Sequence, residues 1–332
     1  MKKSKNKKGL KAVVAVLIAI PVALITVFAA LMYIIPVFET VKKESVAGSA
    51  DWMSRLPDDN LLSETVIPGT HDSASKYADL AFFSKCQALT VAEQLEAGYR
   101  YLDIRLAVDG DDMNLMHGFT ACRTGWLPFS PKLKLSALLD DCYRFLDAHP
   151  TETIIFAVKQ EHGDETVAEF QRVLNLIIGK NKNYWITGGG IPTVGEARGK
   201  LVLLRRYPDE AGLGADSGTG LYWRDQGGRD DVTLNTEDNE CDGFTLHVQD
   251  RYKYDSDEKW NAFLAGIAKS QSSAEDVSLN FLSTNGSPSY GHPYKYARDL
   301  NSRLLNEKPE LKGWIAVDFA DAKMAELIYS AN

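Results

Sequence analysis

The chain opens on a sharp change from polar to apolar. Lys2, Lys3, Lys5, Lys7, Lys8 and Lys11 crowd the first eleven residues, and residues 12–38 then run without a single charge. At about 1.5 Å per helical residue this run exceeds a bilayer core of about 30 Å. A cleaved signal peptide has a shorter apolar stretch, about 7 to 15 residues, with small residues directly behind it. Here the small residues, Ala47-Gly48-Ser49-Ala50, come later. The pattern predicts an uncleaved single-pass signal anchor over 12–38, with residues 1–11 as a basic cytoplasmic N-terminus, 39–50 as a linker and the rest outside the cell. Secretion after cleavage is the alternative.

Beyond residue 50 the pattern shortens. Apolar runs of strand length recur at 65–68, 99–106, 153–158, 200–204, 244–248, 277–282 and 314–317, and amphipathic helical patterns fall at 91–95, 135–148, 166–178, 260–270 and 297–305. Alternating β and α without a dinucleotide fingerprint, over about 280 residues, predicts one α/β domain at 51–332, a TIM-like (β/α)8 barrel, imperfect or incomplete. Side chains two apart on a strand share a face. Asp103 therefore points with Arg105, Lys159 with Ala157, Arg206 with Leu204, Asp250 with Val248 and Asp318 with Ala316. In each run the polar residue comes last, and a barrel opens at the carboxyl ends of its strands. Five runs aim charge at one mouth.

Charge narrows the partners. Residues 1–50 hold eight Lys and two Glu of the chain's 37 basic and 45 acidic side chains, so the remainder carries 14 net negative charges. That argues against nucleic acid and against a polybasic grip on anionic lipid. Cys86, Cys122, Cys142 and Cys241 show no zinc-ligand spacing. A Cys86–Cys122 disulfide near the mouth and small buried thiols are the two readings. Asp109-Gly110-Asp111-Asp112 lacks the distal glutamate of a calcium loop and reads as a turn before a strand at 113–116.

The candidate chemistry gathers in Val66-Ile67-Pro68-Gly69-Thr70-His71-Asp72-Ser73, Tyr101-Leu102-Asp103-Ile104-Arg105-Leu106 and Leu115-Met116-His117-Gly118. Two histidines of opposite protonation can take a proton from an attacking hydroxyl and give one to a leaving oxygen. A guanidinium matches charge on phosphate oxygens. His149, His162, His247 and His292 are read as structural or surface residues.

These segments, in this order, resemble the X-region of bacterial-type phosphatidylinositol-specific phospholipase C. The resemblance continues through Pro150-Thr151-Glu152-Thr153-Ile154-Ile155 and residues 198–207 to Gly313-Trp314-Ile315-Ala316-Val317-Asp318. It implies His71 as general base with Asp318 as its carboxylate, His117 as general acid oriented by Asp72, and Arg105 on the phosphate, with Asp103 holding the guanidinium or tuning the base. It implies Lys159, Arg206 and Asp250 as hydrogen-bonding partners of inositol hydroxyls and Tyr252 as the aromatic under the ring. The implied reaction is attack of the inositol 2-hydroxyl on phosphorus, giving diacylglycerol and inositol 1,2-cyclic phosphate. No cofactor and no metal is expected, the partner is a phosphatidylinositol-containing membrane, and the catalytic domain is expected to be monomeric. Cleavage of glycosyl-phosphatidylinositol or soluble inositol phosphodiesters, and non-catalytic inositol-lipid binding, are the alternatives. Two aromatic stretches, Trp126-Leu127-Pro128-Phe129 and residues 288–296, are candidates for membrane contact, the first more than the second.

Overall fold

The computed structural model describes residues 3–42, 44–127, 129–223, 225–227, 244–271, 273–286 and 291–332. Helix α1 (Lys3–Ala29) continues through a π-helical turn at Ala30–Ile34 and a 3-10 turn at Ile35–Phe38. Residues Gly9–Phe38 form a stretch long and apolar enough, by length and composition, to cross a membrane. Its side chains are mostly exposed down to residue 30, and from Met32 onward it begins to touch the rest of the protein.

Among the described residues the strands are β1 (Ile67–Thr70), β2 (Tyr101–Asp109), β3 (Asp112–His117), β4 (Thr120–Ala121), β5 (Thr153–Gln160), β6 (Trp185–Ile186), β7 (Lys200–Arg205), β8 (Thr219–Gly220), β9 (Thr245–Gln249), β10 (Asp276–Phe281) and β11 (Trp314–Val317). The main ladder runs β6-β7-β5-β2-β1-β11-β10-β9, all parallel. This is the parallel barrel that strand–helix alternation predicts, and it is incomplete: among the described residues no ladder joins β9 back to β7 or β8. Between the strands lie α2 (Ala81–Ser84), α3 (Val91–Glu96), α4 (Leu135–Ala148), α5 (Val167–Gly179), α6 (Val194–Ala197), α7 (Ser256–Lys269), α8 (Pro293–Glu307) and α9 (Ala322–Tyr329).

Two apolar cores follow from strand alternation. Inward-facing Ile155, Ala157, Val202, Leu204, Leu246, Val248 and Ala316 fill the barrel with Tyr101, Phe281 and Trp314. Outward-facing Leu102, Ile104, Ile154, Phe156, Leu201 and Leu203 pack against α4 and α5. Gly69 on β1 stands against the ring of Tyr101. A Cβ there would come within 2.8 Å of that ring, so only glycine lets these strands approach. The acidic tetrapeptide after β2 makes the turn expected of it, with Gly110 left-handed at φ 67° and β3 returning antiparallel.

The thiols are settled as the second reading had them. Cys86, Cys122 and Cys142 are free and buried, so the Cys86–Cys122 bridge does not form. Cys122 faces the layer between β3 and α4, whereas Cys86 lies at the strand ends, and burial holds both thiols protonated. Cys241 lies outside the described residues.

Candidate active site

The site begins where β1 ends. His71 extends the ladder by one bond, its N–H reaching Val317 O at 3.0 Å. Asp72 then turns left-handed, at φ 43°. That conformation costs a non-glycine residue about 1 to 2 kcal/mol, and aspartate tolerates it better than most. It breaks the strand's alternation, so that neighbouring side chains serve different partners. Asp72 N–H donates to Asp103 Oδ2 at 3.1 Å, and Ser73 N–H to Asp103 O at 3.0 Å, which locks the turn onto β2. Gln87 performs the same service below. Its amide donates to His71 O at 2.7 Å and Val317 O at 2.9 Å, while its carbonyl accepts from Ala320 N–H at 3.1 Å. Backbone beside His71 and Asp318 is thus tied to one buried side chain.

Two imidazole–carboxylate pairs result. His71 Nδ1 lies 2.8 Å from Asp318 Oδ1, and His117 Nδ1 contacts Asp72 Oδ2. Arg105 lies between them. Its Nη2 is 2.8 Å from His71 Nε2 and 2.9 Å from Asp103 Oδ2, and its Nη1 is 3.8 Å from Asp72 Oδ2 and 3.2 Å from Glu161 Oε1. A guanidinium only donates. Nε2 of His71 must therefore present its lone pair to Arg105, which leaves Nδ1–H to Asp318 and makes His71 the tautomer that can accept a proton.

The charges set each group's state. Burial by itself lowers His71, but the charge and hydrogen bond of Asp318 outweigh it and raise the ring above its ordinary value. The neutral ring in this geometry is a strengthened base. Burial would raise Asp72 and Asp103; His117 and Arg105 instead hold Asp72 below the usual carboxylate range, and Arg105 with Arg206 holds Asp103 far below it. Arg105 is a fixed cation, since three carboxylates more than offset its burial.

Beyond this centre, alternating charges line the strand ends. Arg206 Nη1 donates to Asp103 Oδ1 at 2.6 Å, and its guanidinium lies 3.8 Å from the ring centroid of Trp223. Trp223 Nε1 donates to Asp250 Oδ2 at 3.1 Å, Lys159 Nζ lies 3.0 Å from Glu161 Oε1, and Tyr252 Oη donates to Asp225 Oδ1 at 2.8 Å. Every residue anticipated for the site is at this mouth. Four others were not anticipated, Glu161, Trp223, Asp225 and Gln87, and Cys86, expected near the mouth as a disulfide partner, is there as a free thiol. Glu161 carried a signal, because it ends the β5 run two residues after Lys159; the others lie in loops with no periodicity to mark them.

His71, Cys86 and Asp318 place ligand-type atoms within 4.8 Å of one another, as do Asp72, Cys86 and His117. Neither set suits a metal ion. The Arg105 cation already faces both pairs, 2.8 Å from His71 Nε2 and 3.8 Å from Asp72 Oδ2, and its charge opposes a second cation at either set. Of the remaining histidines, His149 pairs with Asp51, His247 with Asp276 and His292 with Glu39, and His162 is an exposed surface residue.

Residues 60–207 match the family described as phosphatidylinositol-specific phospholipase C, X domain. A 1-phosphatidylinositol phosphodiesterase of Staphylococcus aureus (strain Newman) is 31% identical over 291 residues, 81% of this chain and 88% of that protein. The chain belongs to this family. Among solved structures, a phosphatidylinositol-specific phospholipase C from Staphylococcus aureus carrying pentafluoro-Phe superposes with a TM-score of 0.71 at 27% identity, covering 85% of this chain and 97% of that one. The phosphatidylinositol-specific phospholipase C of Listeria monocytogenes shares the fold, with a TM-score of 0.62 at 24% identity over 86% and 98%. The open parallel barrel is the fold these solved structures share with the chain. The N-terminal apolar stretch precedes the matched segment.

Proposed function

We propose that the protein cleaves the glycerol–phosphate bond of phosphatidylinositol as a phosphorus–oxygen lyase. The observation that carries this reading is the pair of histidine–carboxylate dyads on either side of one half-buried arginine. His71 Nε2 takes the proton of the inositol 2-hydroxyl, whose oxygen bonds to phosphorus. The bond from phosphorus to the glycerol oxygen breaks, and His117, held by Asp72, gives that oxygen its proton. The products are diacylglycerol and inositol 1,2-cyclic phosphate. Arg105 carries the negative charge on the non-bridging oxygens, with Asp103 and Glu161 fixing its plane. Because the nucleophile is already tethered to phosphorus, positioning supplies much of the rate. Lys159, Arg206 and Asp250 offer donors and acceptors to the ring hydroxyls, and Tyr252 a face for the ring.

The anchor stays attached in this reading and holds the mouth at the outer membrane surface. Support comes from Lys85, whose Nζ donates to Pro36 O and Glu39 O, both at 2.6 Å, and whose pKa burial pushes down to about 8. Cleavage near residues 47–50 would strip those carbonyls from a buried ammonium.

The test is His117→Ala on two substrates. Turnover of phosphatidylinositol, whose diacylglycerol leaves as an alkoxide, is expected to fall by roughly 100- to 10,000-fold. Turnover of an inositol phosphate ester of a nitrophenol, which leaves without a proton, is expected to stay within about tenfold. Equal losses on both would remove His117 from the role of acid, and unchanged lipid turnover would remove the reading itself.

A further inference from the structure

The end of the membrane helix does more than lead into the barrel. Where it meets the domain it closes one side of a cavity of about 270 Å³. Met32, Tyr33, Pro36 and Val37 form that side, and Tyr77, Ala81 and Leu89 face them from the barrel. Trp126 and Leu127, both more than half exposed, stand at its rim. The volume approaches the lower end of ordinary small-ligand sites, about 300 Å³, and exceeds the roughly 150 Å³ that admits a benzene ring.

Position identifies the occupant. Both walls on the barrel side are chain neighbours of the proposed acid and its carboxylate. Asp72 leads through Ser75, whose hydroxyl donates to Asp72 O at 2.6 Å, to Tyr77 and Ala78. Ala78 bridges to Cys122, and β4 just before it pairs with His117. Lys85 lines the cavity, and the next residue, Cys86, lies 3.8 Å from His117 Nδ1. The Ala78–Cys122 bridge and the pairing of β4 with His117 thus set the cavity against the loops that follow the proposed acid and its carboxylate, on the side where the leaving group departs. A leaving group there is an acylated glycerol, and the wall opposite is the end of a membrane-crossing stretch, at the depth where acyl chains begin.

We propose that this cavity holds the first part of an acyl chain of the lipid's glycerol moiety, so that the membrane helix builds half of a leaving-group subsite. The proposal rests on the phosphatidylinositol-cleaving reading. Its volume suits one partial chain, not two. The clasp that keeps the wall in place is polar: Lys85 holds Pro36 and Glu39 by their carbonyls, and the Glu39 carboxylate lies 2.6 Å from His292 Nε2. The ring of His292 stacks on Phe82, centroids 4.1 Å apart.

Two variants fill the cavity from opposite walls, Val37→Phe and Ala81→Phe, and neither touches the catalytic centre. With the full-length protein in detergent micelles, kcat/KM is compared on dihexanoyl phosphatidylinositol and on glycerophosphoinositol, which has no acyl chain. Each variant is expected to lose roughly tenfold on the acylated substrate, the effect of leaving about two methylenes in water, and to keep its rate on the other. Equal effects on both substrates, or none, would overturn the subsite. A second readout does not need turnover. Brominated diacylglycerol is expected to quench tryptophan fluorescence saturably, with quenching lost in Trp126→Phe and weakened in both filling variants. Quenching that persists unchanged in the filling variants, or never saturates, would overturn the subsite even in an inactive protein; quenching without turnover of phosphatidylinositol would leave the subsite standing and sink the proposed activity.

Discussion

At the scale of single residues, the site works by giving chemically similar groups different neighbours. His71 and His117 each touch a buried carboxylate, yet only His71 also meets the guanidinium of Arg105. That contact holds its Nε2 unprotonated, while Asp318 raises its basicity. A general base acts in its neutral form, so activity should rise as pH climbs through the His71 pKa. Asp318→Asn keeps an acceptor for Nδ1–H but removes the charge that raises the ring. The acidic limb of the kcat/KM profile should therefore move to lower pH, with a smaller plateau; a limb that stays in place would show that His71 is not the group titrating there. Strand alternation alone made Asp103, Arg105, Lys159, Arg206 and Asp318 legible in the sequence, since an inward polar residue at a strand end has one place to go. The division of labour between adjacent His71 and Asp72 was not legible from spacing, because it depends on the left-handed turn at Asp72. Cys86 reached the site through a loop, and its pairing with Cys122 failed because Cys122 packs under α4 instead.

At the scale of elements, legibility followed the continuity of the apolar period more than the length of the run. Helix α4 has the predicted bounds, Leu135–Ala148, and β11 likewise matches, because both carry an uninterrupted period. Strand β1 lies two residues later than the apolar run suggested, since Pro68 and Gly69 are accepted inside a strand where Gly69 is pressed against Tyr101. Helix α9 went unnoticed although Asp321 caps it and Met324, Ala325 and Ile328 mark its buried face. The two-residue strands β4, β6 and β8 are too short to leave a period. The base of the barrel is closed by one buried ion pair: Arg100, entering β2, donates through Nε at 3.0 Å and Nη2 at 2.8 Å to Glu152 Oε2, just before β5, and Nη2 also reaches Ala50 O. Both side chains are wholly buried. Glu152→Ala strands the guanidinium, which burial already disfavours, and should lower stability by about 3 to 5 kcal/mol. Urea unfolding in micelles, followed by tryptophan fluorescence, measures it; a loss under about 1 kcal/mol would mean that Arg100 finds other partners.

At the scale of the whole molecule, an acidic barrel is coupled to a basic, apolar N-terminal helix, and the two touch at the clasp around Lys85. Exposed Phe119, Trp126, Leu127 and Phe129 lie on the loops that follow His117, which is where the first of the two aromatic stretches was expected to meet lipid. In the second stretch, residues 288–290 lie outside the described residues, and Tyr294 packs on Phe319, centroids 4.9 Å apart. If the helix is an anchor, protein recovered from cells should remain in alkaline-washed membranes with residues 12–38 intact; an N-terminus near residue 50 in the medium would establish cleavage instead. The proposed reaction is an intramolecular attack organised by two histidine dyads and an arginine. Phosphorus NMR of the full-length protein acting on phosphatidylinositol in detergent, with excess chelator, tests it most directly. A signal of five-membered cyclic phosphodiester, appearing before any inositol phosphate monoester, is the expected result. Product that forms only after calcium is restored, or a monoester that appears without the cyclic species, would contradict it.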